Sequence, residues 1–370
     1  MMTAGLPTRV LVCCGSGGVG KTTVAAALGL AFARAGHRAV VLTIDPARRL
    51  GEALGIEALA DSPRLVRSEE SGELWAATLE PSAVFDRLVA TLAPSVGLRE
   101  TIRRNRLYQE LSTALAGSRE LIALERVFEL ASDPRFDVVV LDTPPAQHAL
   151  DFLDAPARIA TLLDGSLMRW FTQSMPLTPF SLLRDSSALA FKAIEKLTGL
   201  QVFADLSAFL RLFSSLFEGF RARTAVVQTL LRGPSSAFVL VATPSDAALR
   251  QARAFELRLA EEGYTIAALL ANRMSCVDAD AAVSPAKPVF TLDDRRLIDS
   301  ASFVPDLERR LQAVYEAQQR RRAQELSFLE ALRVLALPLV PLPQLGGDVG
   351  QPADLEALAR ALDPLMDQLP

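Results

Sequence analysis

Cysteine is scarce. The 370 residues hold three, Cys13, Cys14 and Cys276, and no CxxC pair. That excludes a disulfide scaffold, a thioredoxin-like redox pair and a zinc clasp, and it fits a reducing, cytoplasmic compartment. A run of about 18 apolar residues is missing, so no transmembrane helix is expected. The N-terminus shows no charged region leading into an apolar one, as a secretory signal would. An excess of positive charge is missing too. Lys plus Arg number 39 against 43 Asp plus Glu, a formal net charge of −4. A general nucleic-acid binder needs a basic footprint, and so does adsorption to acidic lipid.

Half of the residues are hydrophobic and 22% are charged, enough apolar material for a large core. At about 150 residues per domain, the length allows two or three domains, or one large α/β domain with insertions. Residues 9–14 (RVLVCC) form an apolar run ending at glycines and read as a buried strand. A helical stretch over 21–35 follows, stopped by Gly36, and then a second buried strand over 38–44. Further buried strands are expected at 74–79, 137–142, 237–242, 266–271 and 335–340. Continuous Val, Leu and Ile suits strands covered on both faces. Six or seven of them would make one doubly wound, mostly parallel sheet.

The intervals 81–133 and 151–233 read as helical. The expected division is therefore a core of 1–80, 134–150 and 234–370, carrying a helical subdomain of 81–133 and 151–233. Eight of the 18 phenylalanines lie between Phe171 and Phe220. Phe209, Phe213, Phe217 and Phe220 recur at helical spacing. Such a stripe is either an apolar groove for a client helix or the subdomain's own core. A charged helix spans 306–333, with Arg320, Arg321 and Arg322 reading as a solvated face.

Chemistry concentrates at residues 15–22, GSGGVGKT, which fit the phosphate-binding loop G-x-x-x-x-G-K-[ST]. Gly15, Ser16, Gly17, Gly18, Val19 and Gly20 would curl main-chain N–H groups around a polyphosphate without Cβ clashes. Lys21 would reach the β- and γ-phosphates of ATP, and Thr22 would give its hydroxyl to Mg2+. The N-terminus of the following helix adds its positive dipole. Gly15, Gly17 and Gly20 also satisfy the dinucleotide pattern G-x-G-x-x-G, with Asp45 where a ribose would be read. Lys21-Thr22-Thr23 decides against that, because such a helix has no use for Lys and Thr there.

Asp142 ends the strand 137–142. Beside a phosphate loop, a carboxylate in that place holds Mg2+; elsewhere it would be a turn or N-cap residue. Asp45 ends the second strand and so shares the carboxyl edge of the sheet with the phosphate loop. It can orient an attacking water, or simply start the turn at Pro46.

GSGGVGKTT, TIDPARRL, VVVLDTPPAQHALDFL and LLANR, in this order, resemble the arsenite-pump and tail-anchored-protein-targeting ATPase family. That family lies within the deviant Walker A class of P-loop ATPases, and the nearest resemblance is to bacterial single-domain anion-transporting members. The resemblance implies a P-loop NTPase core and a dimer, with Asp45 activating water, Asp142 at the Walker-B position and a switch loop running to His148. His148 could equally be a packing residue. The resemblance also implies that Asn272, after strand 266–271, reads adenine and that the segment with Pro341 closes over it. The Phe-rich segment sits where the family carries its client-binding helices.

Three departures matter. The family's signature lysine, which reaches the partner's phosphates, is here Ser16. Arg48 or Arg49 is then a candidate substitute, or a lysine-bearing paralogue completes a heterodimer in place of a homodimer. The zinc CxxC is absent, and so are the cysteines of arsenite sensing; Cys13 and Cys14 read as core. The expected activity is that of an ATP-hydrolysing switch that moves a helical subdomain and binds a hydrophobic client. Alternatives are an ATPase subunit of an anion pump and a low-turnover nucleotide-binding subunit. A Min-type positioning ATPase would need a basic tail. Residues 353–370 carry Asp354, Glu356, Asp363 and Asp367 against Arg360, which anionic lipid would repel.

Overall fold

A computed structural model describes residues 8–45, 49–92, 119–144, 222–275, 303–345 and 352–366, with positions 219, 368 and 369. Pro46–Arg48, His148, the Phe-rich segment up to residue 218 and Cys276 lie outside the described residues.

Eight strands form one sheet in the order β3-β4-β2-β5-β1-β6-β7-β8. They are β1 (Arg9–Gly15), β2 (Arg38–Thr43), β3 (Arg64–Ser68), β4 (Glu73–Thr78), β5 (Val138–Asp142), β6 (Ser236–Ala242), β7 (Ile266–Met274) and β8 (Leu339–Pro343). Every pairing is parallel except β3 with β4. The central strands are those with unbroken apolar runs. All five residues of β5 are buried, as are all seven of β6. At about 1.5–3 kcal/mol for each buried Val or Leu, such segments are driven between two helical layers.

The helices are α1 (Lys21–Arg34), α2 (Arg49–Leu54), α3 (Pro81–Leu92), α4 (Arg119–Ala131), α5 (Asp246–Glu261), α6 (Phe303–Arg333) and α7 (Pro352–Met366). A further helical stretch covers 222–232. Strand β2 lies on one side of β1 and β7 on the far side of β6. Right-handed crossovers therefore put α1 and α5 on opposite faces. Eleven of the 14 residues of α1 are buried, because α7 covers the side that turns away from the sheet. The helix ends as the sequence predicts. Gly36 takes φ 91°, and the His37 N–H donates to the Phe32 carbonyl at 3.0 Å.

The structure corrects three details of the sequence reading. Strand β3 was not expected. It is short, mostly exposed and bulged between Leu65 and Arg67, so it lacks a buried strand's signature. The last strand begins at Leu339, not at 335, because α6 ends in a turn whose Ala336 has φ 53°. Its Pro341 and Pro343 are tolerated because β8 is an edge strand. Strand β7 runs on to Met274, so Asn272 lies inside its kinked end and not beyond it.

The described helices of the 81–133 interval and the stretch 222–232 are tied together by charge. Arg87 on α3 bridges Asp61 at 2.6 Å and Glu129 at 2.9 Å. Arg126 on α4 also meets Glu129 at 2.6 Å. Arg223 pairs with the buried Glu125 and stacks over Phe128, its guanidinium carbon 4.9 Å from the ring centre. Burial pushes the Glu125 carboxyl up to about 7, against the pull of Arg223.

Candidate active site

The carboxyl ends of β1, β2 and β5 lie level. Cys13 and Thr43 are both in register with Asp142. The phosphate loop leaves β1 at this edge, beside the point where the strand order turns from β5 to β6. That is where open α/β sheets bind ligands.

The loop has the backbone that the glycines were expected to supply. Gly18 and Gly20 take φ 78° and φ 92°. At Gly20 a side chain is disfavoured by the positive φ, and a Cβ would lie 2.5 Å from the Asn272 amide nitrogen, so that amide would have to shift. A Cβ on Gly15 would lie 2.3 Å from the Val241 carbonyl oxygen. No side chain caps the N-terminus of α1, which leaves the first N–H groups of the helix to a ligand.

Lys21 is 7% exposed, and its Nζ donates to the Ser16 carbonyl at 2.9 Å. Burial lowers its pKa, while the neighbouring Asp142 pulls it back up. Ser16 thus meets Lys21 through its main-chain carbonyl, and its side chain brings no charge to the loop.

Asp142 is 1% exposed. Its Oδ2 accepts from the Thr43 hydroxyl at 2.9 Å. Its Oδ1 completes no hydrogen bond, although the Thr22 hydroxyl is close enough to help stabilise the charge. Burial pushes this carboxyl up to about 6, against the two hydroxyls and Lys21. An orphaned, buried carboxylate oxygen beside a phosphate loop suits a hard divalent cation such as Mg2+.

Asp45 follows β2 at the same edge. Its main-chain N–H donates to the Thr43 oxygen at 3.3 Å, and Arg49 approaches its carboxylate at 3.4 Å. Arg49 also lies near enough to Lys21 to oppose its charge. Both adjacent cysteines are fully buried in β1. Burial raises Cys13 well above the usual thiol range and pushes Cys14 up to about 12, so neither is a ready thiolate.

Asn272 is brought to this loop from β7. Its amide nitrogen donates to the Val19 carbonyl at 2.8 Å, and its Oδ1 accepts from the Arg273 N–H at 2.9 Å. Pro341 lies half-buried one strand over, in register with Ala271. The structure thus brings Gly15 to Thr23, Asp45, Asp142, Asn272 and Pro341 to one edge of the sheet.

Two features escaped the sequence reading. Thr43 links the Asp142 carboxylate to the main chain of Asp45, and its only signal is its place at the end of β2, two residues before Asp45. Arg321 is not simply solvated. It pairs with the buried Glu325 at 2.9 Å, and its spacing of four from that residue on one helix was the available clue.

The model of the anion-transporting ATPase family matches residues 8–283. An "ATPase ASNA1 homolog" of Babesia bovis is 32% identical over 153 residues, 41% of this chain and 40% of its own. The uncharacterized protein SCO2128 of Streptomyces coelicolor is 28% identical over 279 residues, 74% of this chain and 64% of its own. "ATPase GET3B" of Arabidopsis thaliana is 25% identical over 291 residues, 74% of this chain and 66% of its own. The chain therefore spans between two fifths and two thirds of the length of these relatives.

Proposed function

The chain belongs to the anion-transporting ATPase family, and from that premise we propose that it binds Mg-ATP at the 15–23 loop and hydrolyses it. The observation that carries this reading is the buried Asp142 Oδ1, left without a hydrogen bond beside Lys21 and the phosphate loop.

The loop glycines and the open N-terminus of α1 would hold the phosphates, and Lys21 would leave the Ser16 carbonyl for the β- and γ-phosphate oxygens. Thr22 and Asp142 would hold Mg2+. When bound, that ion neutralises charge on the phosphate oxygens. Asp45 would orient water for in-line attack on the γ-phosphorus and take up its proton, as the bond to the bridging oxygen breaks. Asn272 retains one amide hydrogen and one lone pair beyond its two protein contacts, and these suit the edge of adenine.

Among the described residues no helix is long and apolar enough to cross a membrane. The reading places the chain in the cytoplasm as a dimer, either of two copies or with a lysine-bearing paralogue. The helical segments 81–133 and 151–233 would move with the state of the nucleotide and offer Phe209, Phe213 and Phe217 to a hydrophobic helix. The family model is described as anion-transporting, which favours a second reading: a motor subunit whose client is a membrane anion pump.

Binding of a fluorescent ATP analogue, titrated with and without Mg2+, tests the site. The wild-type chain should bind it, and more tightly with Mg2+, whereas Asp142→Asn should lose the gain from Mg2+. An equal gain in both proteins would remove Asp142 from the metal site.

A further inference from the structure

The end of β7 is held in an unusual backbone conformation. Arg273 has φ 63°, in the left-handed region that non-glycine residues rarely occupy, and the pairing with β8 shifts register between Ala271 and Met274. Such a backbone persists where its surroundings hold it in place. Here the support comes from α6. The Glu325 carboxylate, 1% exposed, accepts from the Ser275 N–H at 3.0 Å, the Ser275 hydroxyl at 2.7 Å and Arg321 Nε at 2.9 Å. Arg321 in turn donates to the Arg273 carbonyl at 3.4 Å and to the side chain of Gln344, just past β8.

What this clamp holds is aimed at the phosphate loop. The left-handed turn presents the Arg273 N–H to Asn272 Oδ1 at 2.9 Å. That bond fixes which end of the Asn272 amide faces Val19, and the nitrogen end donates to the Val19 carbonyl at 2.8 Å. The same nitrogen fills the space that a Cβ on Gly20 would need. Loop and amide therefore fit each other in one arrangement.

We propose that Glu325 and Arg321 are positioning residues of the nucleotide site, acting through the left-handed Arg273 and the Asn272 amide to set the shape of the phosphate loop. The inference rests on the ATP-binding reading for its purpose, but the coupling exists without nucleotide. A fixed loop saves ordering cost when a polyphosphate binds, because its donors already converge.

Amide hydrogen exchange over residues 16–22 of the nucleotide-free full chain tests the coupling, in Arg321→Ala, Glu325→Gln, Asn272→Ala and the doubles with Asn272→Ala. Exchange in each single variant should be roughly tenfold faster, about the effect of one lost hydrogen bond. Each double should match Asn272→Ala alone, because the path runs through that amide. Arg321→Lys, which can still meet Glu325, should recover part of the protection. Should Arg321→Ala or Glu325→Gln not fold, Ser275→Ala and Gln344→Ala remove single contacts and should move the same segment. Wild-type exchange over 16–22 in the folded variants would overturn the proposal, as would effects that multiply in the doubles. ATP affinity, measured alongside, should fall in the same variants. Failure of the wild-type chain to bind ATP would refute the nucleotide reading while the exchange result still decided the coupling.

Discussion

The Thr43 hydroxyl donates to Asp142 Oδ2 at 2.9 Å, while its oxygen accepts the Asp45 N–H at 3.3 Å. One side chain thus joins the expected metal carboxylate to the loop that carries the expected water-activating carboxylate. Thr43→Val keeps the shape and removes both bonds. Its turnover should fall about tenfold, the size of a lost buried hydrogen bond, with the protein still folded. Steady-state kinetics with unchanged kcat would show that the link is idle.

Lys21 already sits in a main-chain cradle, on the Ser16 carbonyl at 2.9 Å. Lys21→Ala removes the cation that would meet the phosphates. Phosphate release should drop by at least about 10²-fold, the usual loss for a charge-stabilising donor. A phosphate-release assay on the variant checks this, and near-normal release would place catalysis elsewhere.

In the proposed reaction Asp45 orients water and does not hold the phosphates. Asp45→Asn should therefore keep ATP affinity within a few-fold and lose turnover by about 10²–10⁴, the range for a general base. Equilibrium binding and single-turnover kinetics separate the two effects. Retained turnover would remove Asp45 from the mechanism.

Glu125 is a buried carboxyl pushed up to about 7, mainly by burial. A folded-state pKa above the unfolded one gives stability that is present at low pH and lost as pH rises through the folded value. Between pH 4 and pH 8 the balance between Glu125→Gln and wild type should shift by about 2–3 kcal/mol in favour of the variant. Urea unfolding at the two pH values measures this. A shift in the opposite direction would mean that the pair with Arg223 holds the carboxylate ionised.

The central sheet was legible because β1, β2, β5, β6 and the start of β7 each carry an unbroken apolar run, and that pattern belongs to strands covered on both faces. The phosphate loop was legible because its chemistry is local: glycines, Lys21 and Thr22 sit within eight consecutive residues. Asp45 and Asp142 could be placed because parallel strands deliver the carboxylate that ends β5 and the one just past β2 to one edge. Strand β3 was hidden because an exposed edge strand with Arg64 and Arg67 looks like a loop. The roles of Thr43, Arg273 and Glu325 were hidden for a different reason. Each depends on contacts between residues 48 to 99 positions apart, which no local pattern encodes. The φ 63° at Arg273 runs against its own residue type, and only tertiary contacts from α6 explain it.

ATP hydrolysis by the purified chain alone, over a wide range of protein concentration and beside Lys21→Ala, decides whether the 15–23 loop serves an ATPase. Phosphate release should depend on Mg2+, rise per subunit with concentration and disappear in the variant. Release that persists in Lys21→Ala would contradict that role of the loop, and none from the wild-type chain at any concentration would rule out the dimer of two copies.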